Sequence, residues 1–189
     1  AVERFERLLA HLGIDEAVVG AVLDWLDSDE EARVPGGAES VYYLRGEAPY
    51  RVSNQPMALV SELMLVAGIN MASYSQLRPY VTALPIRTSI NVNTAPLAVL
   101  RAVLSEPDEV ALRQFVQQRG AEPITDFEML RRHALFANFG TELDGLGVGS
   151  DWFRLDGNIA LRRATIEHHA ILHRSEDSVK VVQRWSGAP

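Results

Sequence analysis

The hydrophobic pattern of this 189-residue chain changes its period near residue 140, and this change restricts the possible folds more than any other feature. Up to about Ala137, apolar residues recur at helical spacing in a series of short segments. After the glycine-rich stretch TELDGLGVGS, three segments alternate apolar and polar residues as β-strands do. Runs of helices followed by runs of strands indicate an α+β protein. We therefore predict a helical domain over residues 1–140 and antiparallel strands over residues 141–189.

Capping signals predict where several of the helices begin and end. Gly13 follows the first amphipathic segment, and Asp15 precedes a second one that ends in acidic residues. Helical spacing returns over residues 59–66 and 71–84. For the later helices, the expected caps are Asn93 or Thr94 with Pro96 in the first turn, Pro107 with Asp108, and a capping box from Thr125 to Glu128.

The three alternating segments are WFRLDGNIALRR, ATIEHHAILHRS and SVKVVQRW. Turn-like breaks separate them near Arg162 and Arg163 and again at Ser175–Ser178. Three antiparallel strands form a marginal sheet unless a helix packs on one face. The chain also starts within an amphipathic helix, without a methionine or a targeting segment. We therefore expect it to be a fragment of a longer protein whose N-terminal portion completes the sheet.

A long segment, residues 28–55, has no sustained periodicity. Prolines and glycines interrupt it, and a loop of this length within a compact domain is usually functional or disordered. Tyr42, Tyr43 and Tyr50 argue against disorder, because aromatic rings offer apolar area to bury. The chain has no cysteine, so a disulfide cannot hold the segment in place. We expect another kind of link to do so.

Negative charge is concentrated in the first third of the chain. The net charge is −7, and residues 1–62 contain 12 acidic residues against 5 arginines, a balance of −7. The remaining residues balance, with 13 acidic and 13 basic side chains. Such a field repels nucleic acid and anionic lipid, and it favours cations or basic partners. No apolar run is long enough to span a bilayer.

The stretch DWLDSDEEARVPGGAES contains the most specific candidate site. Asp24 and Asp27 lie one helical turn apart and Asp29 follows the helix end, so three carboxylates can converge. Glu39 comes after two glycines that allow the chain to fold back. Like charges this close destabilise a fold unless a cation neutralises them. These residues indicate a metal-binding loop over residues 24–57, a solvated acidic helix end, or a pair of catalytic carboxylates.

The donor chemistry of this stretch favours calcium over zinc. All four carboxylates are hard oxygen ligands, and no histidine or cysteine lies near them in sequence. The spacing does not fit an EF-hand loop, since the twelfth residue counted from Asp27 is Ala38. The segment HHAILH is not a rival metal site, because His169 and His173 would lie about 13 Å apart on one strand.

The segment INVNTAPLAVLRAVLSEPDEVALRQFVQQRG resembles helix-hairpin-helix repeats of DNA-binding proteins. In those repeats, a glycine hairpin presents backbone N–H groups to a DNA phosphate. Here Glu106, Asp108 and Glu109 would repel the phosphate, and Pro107 removes a donor. The earlier hairpin, VAGIN, has no basic residue near Gly68. We predict a helical packing scaffold, with a nucleic-acid-binding module as the alternative function.

Several segments in a fixed order resemble the minor pseudopilin K family of type II secretion systems. They are DWLDSD, PGGAES, APYRVSNQPMALVSELMLVAGI, LRPYVTALP, INVNTAPLAVL and GSDWFRLDGNIAL, and they extend over essentially the whole chain. The resemblance implies a large helical domain, similar to helix-hairpin-helix or SAM domains, that is inserted into a pseudopilin α/β core. The closing strands would belong to that core, whose N-terminal helix and first strands precede this sequence.

The same resemblance implies a non-enzymatic protein in the periplasm of a Gram-negative bacterium, anchored in the inner membrane only by that N-terminal helix. It would cap the tip of the pseudopilus with minor pseudopilins I and J, with H below them, and support protein export across the outer membrane. Secreted substrates and the secretin are further candidate partners, whereas nucleic acid and other membrane contacts are not expected.

Carried over by position, the resemblance implies that Asp27, Asp29 and Glu39 bind Ca²⁺, with Asp24 as a further candidate ligand. The family commonly places an aspartate directly after the matching glutamate, whereas this chain has Ser40, which counts against a second ion. Asn54 and Glu62 are additional oxygen donors near this region. The remaining alternative is a hydrolase that uses Asp27 and Asp29, and it would need a concave pocket beside them.

Overall fold

The structure, a computed structural model, describes residues 2–161 and 164–186. Its α-helices are α1 (Val2–Leu12), α2 (Val18–Leu26), α3 (Ser40–Tyr43), α4 (Met71–Leu77), α5 (Leu97–Val103), α6 (Glu109–Gln118) and α7 (Phe127–Arg132). Short 3₁₀ helices lie at Val60–Leu65, Arg78–Tyr80 and Gly140–Leu143. The strands are β1 (Ile90–Asn91), β2 (Leu146–Gly147), β3 (Trp152–Leu161), β4 (Ala164–Arg174) and β5 (Val179–Ser186). The predicted α+β class, with a C-terminal antiparallel sheet, is confirmed.

Residues from α1 to about Val81, together with Ala98 and Ala102 of α5, enclose the first apolar core. Helix α1 is amphipathic and buries Leu8 and Leu9, whereas α2 buries seven of its nine residues. Gly13 ends α1 as predicted, because its φ of +67° belongs to the left-handed region that glycine adopts without strain. Asp15 was predicted to cap α2, but the N-cap is Ala17, and Asp15 instead fixes the preceding turn by accepting a hydrogen bond from the backbone N–H of Ala17.

Helices α5, α6 and α7 enclose a second core, in which Leu100, Leu112 and Phe136 are fully buried. Asn93 ties its loops together, because its amide donates to two backbone carbonyls and its oxygen accepts from the N–H of Ile124. The sequence pattern predicted helices here but not that the helical region contains two separate cores.

Two arginines of α1 join the first core to the second. Arg4 donates to the carbonyl oxygens of Glu142 and Asp144 at 2.7 and 2.6 Å. Arg7 donates to two carbonyl oxygens at the C-terminal end of α5, at 2.7 and 3.0 Å. Because a helix C-terminus has unpaired carbonyls and a partial negative charge, it is a favourable position for a guanidinium group.

Strands β3, β4 and β5 form an antiparallel sheet in that order. The predicted turn between β4 and β5 is present, with the N–H of Ser175 donating to the carbonyl of Ser178 at 2.8 Å. The other predicted break, at Arg162 and Arg163, lies outside the described residues. The sheet reaches the first core through Gln183, whose amide donates to the carbonyl of Ala58 at 2.9 Å.

Three predicted helix boundaries are shifted in the structure. Helix α4 ends at Leu77 and not near residue 84, because Pro79 cannot donate a helical hydrogen bond and the chain then becomes extended. Helix α5 begins after Pro96, which is its N-cap, so the predicted cap at Asn93 or Thr94 and the predicted first-turn position of this proline were wrong. Asp126, and not Thr125, caps α7 by accepting from the N–H of Met129.

The pairing of β1 with β2 was not predicted. These two-residue strands run parallel, with Ile90 opposite Leu146, and they close the second core. Two residues are too few to show alternation in a sequence, so no pattern could have revealed them. Within the described residues, no helix combines the length and the apolar character required to cross a membrane.

Candidate metal centre

The loop after α2 folds back along that helix because glycines leave room for close backbone contact. Gly36 has a φ of +78°, and a Cβ atom at this position would collide with the carbonyl group of Ala17. A Cβ atom on Gly37 would collide with the Asp24 carboxylate, and one on Gly20 would lie 2.5 Å from the carbonyl oxygen of Pro35. The close contact returns the chain to the end of α2, where Glu39 precedes α3.

Aromatic side chains hold the rest of this loop. The ring of Tyr43 packs against Trp25 at a centroid distance of 5.5 Å and against Tyr50 at 5.1 Å. Both tyrosine hydroxyls also bind the backbone of the next segment, since Tyr43 accepts from the N–H of Ala67 and Tyr50 donates to the carbonyl of Leu65. The tyrosines therefore order the segment, as the sequence suggested.

Asp24 is fully buried and interacts with Arg33, a residue that the sequence did not identify. The backbone N–H of Arg33 donates to Asp24 Oδ2 at 3.1 Å, and its Nε lies 3.2 Å from Asp24 Oδ1. The same guanidinium donates to Asp27 Oδ2 at 2.6 Å, and this hydrogen bond raises the pKa of Arg33. Asp24 thus positions Arg33, which among the described residues is the one cation paired with the acidic cluster.

Asp27, Asp29 and Glu39 come together next to the pair formed by Asp24 and Arg33. One carboxylate oxygen from each residue lies within 4.8 Å of the other two. Calcium binds oxygen at about 2.3–2.6 Å, so oxygens on opposite sides of one ion are about 5 Å apart. The separation is therefore compatible with three ligands of a single ion. Among the described residues, no other group of three acidic, histidine or cysteine side chains meets this criterion.

Several oxygens in this cluster are buried without a hydrogen-bond partner among the described residues. They are both carboxylate oxygens of Glu39 and the Oδ1 atoms of Asp24, Asp27 and Asn54, of which the Asp24 atom lies 3.2 Å from Arg33 Nε in an ion pair. Glu39 is only 4% exposed, and an unpartnered buried carboxylate is costly to the fold. Its burial, together with repulsion from Asp24, Glu30, Asp27 and Asp29, raises its pKa to about 7. A divalent cation would remove both penalties at once.

Asn54 closes the cluster from the far end of the loop. It adopts a φ of +49°, which asparagine tolerates better than most residues. Its amide nitrogen donates to the carbonyl of Asp29 at 3.0 Å, which leaves the amide oxygen as the unpartnered atom. Ser40 donates its hydroxyl to Glu30 Oε1 at 3.1 Å, so at this position a hydroxyl group orders a carboxylate.

Glu62 is not part of this cluster. Its Oε1 accepts hydrogen bonds from the backbone N–H groups of Ala58 and Leu59 at 2.6 and 3.0 Å. These bonds cap the start of the 3₁₀ helix Val60–Leu65, in which Glu62 itself lies. The candidate donors near the loop are therefore the grouped carboxylates of Asp27, Asp29 and Glu39, with the unpartnered Oδ1 of Asn54 nearby. Hard oxygen donors without nitrogen or sulfur fit a cation such as Ca²⁺.

The hairpins at Gly68 and at Pro107 and Asp108 give no support to nucleic-acid binding, the alternative function suggested by the sequence. Asp108 caps α6 by accepting the N–H groups of Val110 and Ala111 at 2.8 and 3.1 Å, so its own carboxylate occupies the amides that would bind a phosphate. Gly68 serves packing, because a Cβ atom there would lie 2.9 Å from a methyl carbon of Val18.

The strand histidines have ordinary contacts in the sheet. His169 stacks on Trp185 at 5.3 Å, and its Nδ1 lies 2.5 Å from Asp156 Oδ1. His173 stacks on Trp152 at 4.5 Å. The two histidines therefore have separate partners within the sheet.

Two family models, both described as type II secretion system (T2SS), protein K, match residues 1–86 and 90–149. The chain is 36% identical, over 97% of its length, to the type II secretion system protein K of Pectobacterium carotovorum subsp. carotovorum. It is 33% identical, over 99% of its length, to that of Pseudomonas aeruginosa. It covers 59% and 57% of these two proteins, so it spans a little over half the length of the curated relatives that it matches.

Comparison with a solved structure agrees with the family models and the curated relatives. The fold is similar, with a TM-score of 0.86 and 25% identity, to a chain in the crystal structure of the GspK-GspI-GspJ complex from the enterotoxigenic Escherichia coli type 2 secretion system. The similarity covers 100% of this chain and 70% of that chain. With both family models and the relatives in agreement, the chain belongs to the type II secretion system protein K family.

Proposed function

We propose that this chain is the periplasmic part of a minor pseudopilin K that sits at the tip of the type II secretion pseudopilus. The observation that carries the proposal is the similarity over the whole chain to a chain of the GspK-GspI-GspJ complex. The protein acts through its shape and not through catalysis: the helical head blocks further growth beyond the tip, and the C-terminal sheet faces the other subunits. Its direct partners are minor pseudopilins I and J.

The proposal extends to the parts of the protein that precede this sequence. An N-terminal helix anchors the protein in the inner membrane before assembly and packs into the pseudopilus afterwards. Pseudopilin H lies below the tip complex, and the secretin and secreted substrates meet the exposed helical head. These contacts belong to the whole protein, of which this chain covers a little over half in the relatives compared.

We further infer that Asp27, Asp29 and Glu39 hold one calcium ion, with the Asn54 oxygen directed to the same place. The support is the set of buried oxygens without partners and the raised pKa of Glu39. Asp24 supports the site indirectly through Arg33. The ion is structural, because it fastens a long loop to α2 in a chain that has no disulfide.

A reconstitution experiment tests the assembly function. The protein with its native N-terminal segment is mixed with pseudopilins I and J, and the mixture is separated by size-exclusion chromatography with light scattering. We expect one complex that contains all three proteins, and no such complex when pseudopilin H replaces J. If K elutes alone at micromolar concentrations of I and J, the proposed function is wrong, whatever the protein does with calcium.

A further inference from the structure

A cleft between the first helical core and the sheet has an unusual distribution of charge. Its volume is about 280 Å³, and the residues after the 3₁₀ helix Arg78–Tyr80 form one wall while β3, β4 and β5 form the other. Arg78 and Arg154 both line it, and among the described residues no aspartate or glutamate does so. Within the described residues, Arg154 is paired with Asp156, whereas the positive charge of Arg78 has no acidic partner.

The guanidinium groups have free hydrogen-bonding capacity. Arg154 donates from Nε to Asp156 Oδ1 at 2.8 Å, and its terminal nitrogens have no partner among the described residues. The Arg78 side chain has no hydrogen bond or ion pair within the described part of the chain. Guanidinium groups match planar carboxylates geometrically and form paired hydrogen bonds with them.

The walls of the cleft are apolar and well supported. Ile171 is buried at its base, and the ring of Trp185 stacks on His169. Gln183 is fixed by its hydrogen bond to the carbonyl of Ala58, so it also holds the sheet against the first core. Apolar walls lower the local dielectric constant and strengthen any charge interaction in the cleft.

We propose that this cleft binds one carboxylate group between Arg78 and Arg154. The group comes from an acidic side chain of a protein partner or from a small free organic acid. A singly charged ligand fits better than a phosphate ester, because the net charge of −7 opposes the approach of multiply charged anions. This inference goes beyond the proposed function and does not depend on the calcium site.

Indole NMR signals provide a direct readout, because the chain contains only three tryptophans. Trp185 lines the cleft, whereas Trp25 lies in the first core and serves as an internal reference. The ¹⁵N-labelled protein is titrated with sodium acetate and, separately, with N-acetyl-aspartate N-methylamide, against sodium chloride at equal ionic strength. Trp185→Phe assigns the signal. We expect a saturable shift of the Trp185 resonance and no saturable shift of Trp25.

Arginine variants test whether the saturable shift of the Trp185 resonance comes from carboxylate binding in the cleft. Arg78→Gln should weaken the carboxylate affinity at least tenfold without changing the melting temperature, because Arg78 has no partner to lose. Arg154→Gln should weaken it similarly. The matched control is Arg113→Gln on the exposed face of α6, which should bind like the parent protein.

The two probes separate the sources of the carboxylate. Saturation by the aspartate derivative alone supports a side chain from a protein partner, and equal saturation by acetate supports a small free acid. A Trp185 shift no larger than that in sodium chloride overturns the proposal, and so does an affinity that is unchanged in both Arg78→Gln and Arg154→Gln.

Discussion

Two regions of the molecule bury polar groups beside irregular loops, and they satisfy these groups differently. In the second core, the protein itself supplies every partner of the key side chains. Asn93 makes three hydrogen bonds to backbone groups of other loops, and Arg119 donates to two backbone carbonyls at 2.7 Å. The Glu142 carboxylate accepts from the backbone and hydroxyl of Ser105. Among the described residues, no side-chain nitrogen or oxygen atom of this core is buried without a hydrogen-bond partner.

The acidic loop shows the opposite arrangement. Both oxygens of Glu39 and one oxygen each of Asp27 and Asn54 are buried without a protein partner. Arg33 is the one cation paired with these carboxylates in the described structure, and it binds Asp24 and Asp27 only. The comparison teaches that loop length alone does not reveal a ligand site. What distinguishes the two regions is whether the buried polar atoms are paired.

Substituting a glycine of the acidic loop should cause the largest loss of unfolding free energy, whereas a glycine substitution after α6 should have little effect. Gly36→Ala places a Cβ atom against the Ala17 carbonyl at a left-handed φ, so we expect a loss of more than about 3 kcal/mol in unfolding free energy. The matched control is Gly120→Ala, at an exposed position after α6, where a Cβ atom meets nothing within 4 Å. Chemical denaturation measures both. Equal effects of the two variants would contradict the close packing of the acidic loop on α2.

Removing the hydrogen bonds of Asn93 should lower the unfolding free energy by less than Gly36→Ala does, and this loss should not depend on calcium. Asn93→Ala leaves three backbone groups of the second core unpaired, with an expected loss of about 2–4 kcal/mol. Asn138→Ala, at an exposed position, is the control. We expect the same loss by denaturation in EDTA and in excess calcium. A loss that differs between these conditions would show that the two regions are not independent.

Neutralising Glu39 should have opposite effects with and without the ion. Glu39→Gln removes a buried charge from a cluster of carboxylates, so the calcium-free protein should gain about 1–3 kcal/mol at pH 8, given about 1.4 kcal/mol per unit of pKa shift. The variant should also lose most of its stabilisation by calcium. Glu47→Gln, at an exposed position of the same loop, should resemble the parent protein. A calcium response that survives in Glu39→Gln would remove this residue from the site.

The pH dependence gives a smaller effect with a defined sign. Because the pKa of Glu39 is raised from its ordinary 4.5 to about 7, the folded calcium-free protein keeps a proton that the unfolded chain releases. This contribution to stability is complete below pH 4.5 and is lost as the pH rises to about 7. The difference in unfolding free energy between the parent and Glu39→Gln isolates it. Calcium affinity should rise over the same interval, since the ion displaces the proton.

The sequence predicted the parts of the fold that depend on local pattern. The three closing strands alternate clearly, and Gly13 and Asp108 are caps that act within a few residues of themselves. The two-residue pairing of Ile90 with Leu146 could not be predicted, because it joins segments that are far apart in sequence and too short for alternation. The division of the helices into two cores depends equally on distant contacts.

For the candidate site, the sequence identified the acidic residues but not their surroundings. Asp27, Asp29 and Glu39 share one chemistry within a short stretch, and the structure brings them together. Asp24 belongs to the same stretch, but its burial beneath Arg33 depends on how the loop returns over α2. Asn54 was only a nearby donor in sequence, because nothing local shows which way an aperiodic loop closes.

Calcium titration of the metal-free protein tests the central claim most directly. After treatment with EDTA and its removal, the protein is titrated with Ca²⁺ by calorimetry and its melting temperature is measured in parallel. We expect one ion per chain and, at calcium concentrations about 100 times the dissociation constant, a stabilisation of about 2.7 kcal/mol. For a chain of this size, that corresponds to a rise of about 5–10 °C. The absence of binding heat, together with an unchanged melting temperature, would contradict the claim that the acidic loop is completed by a cation.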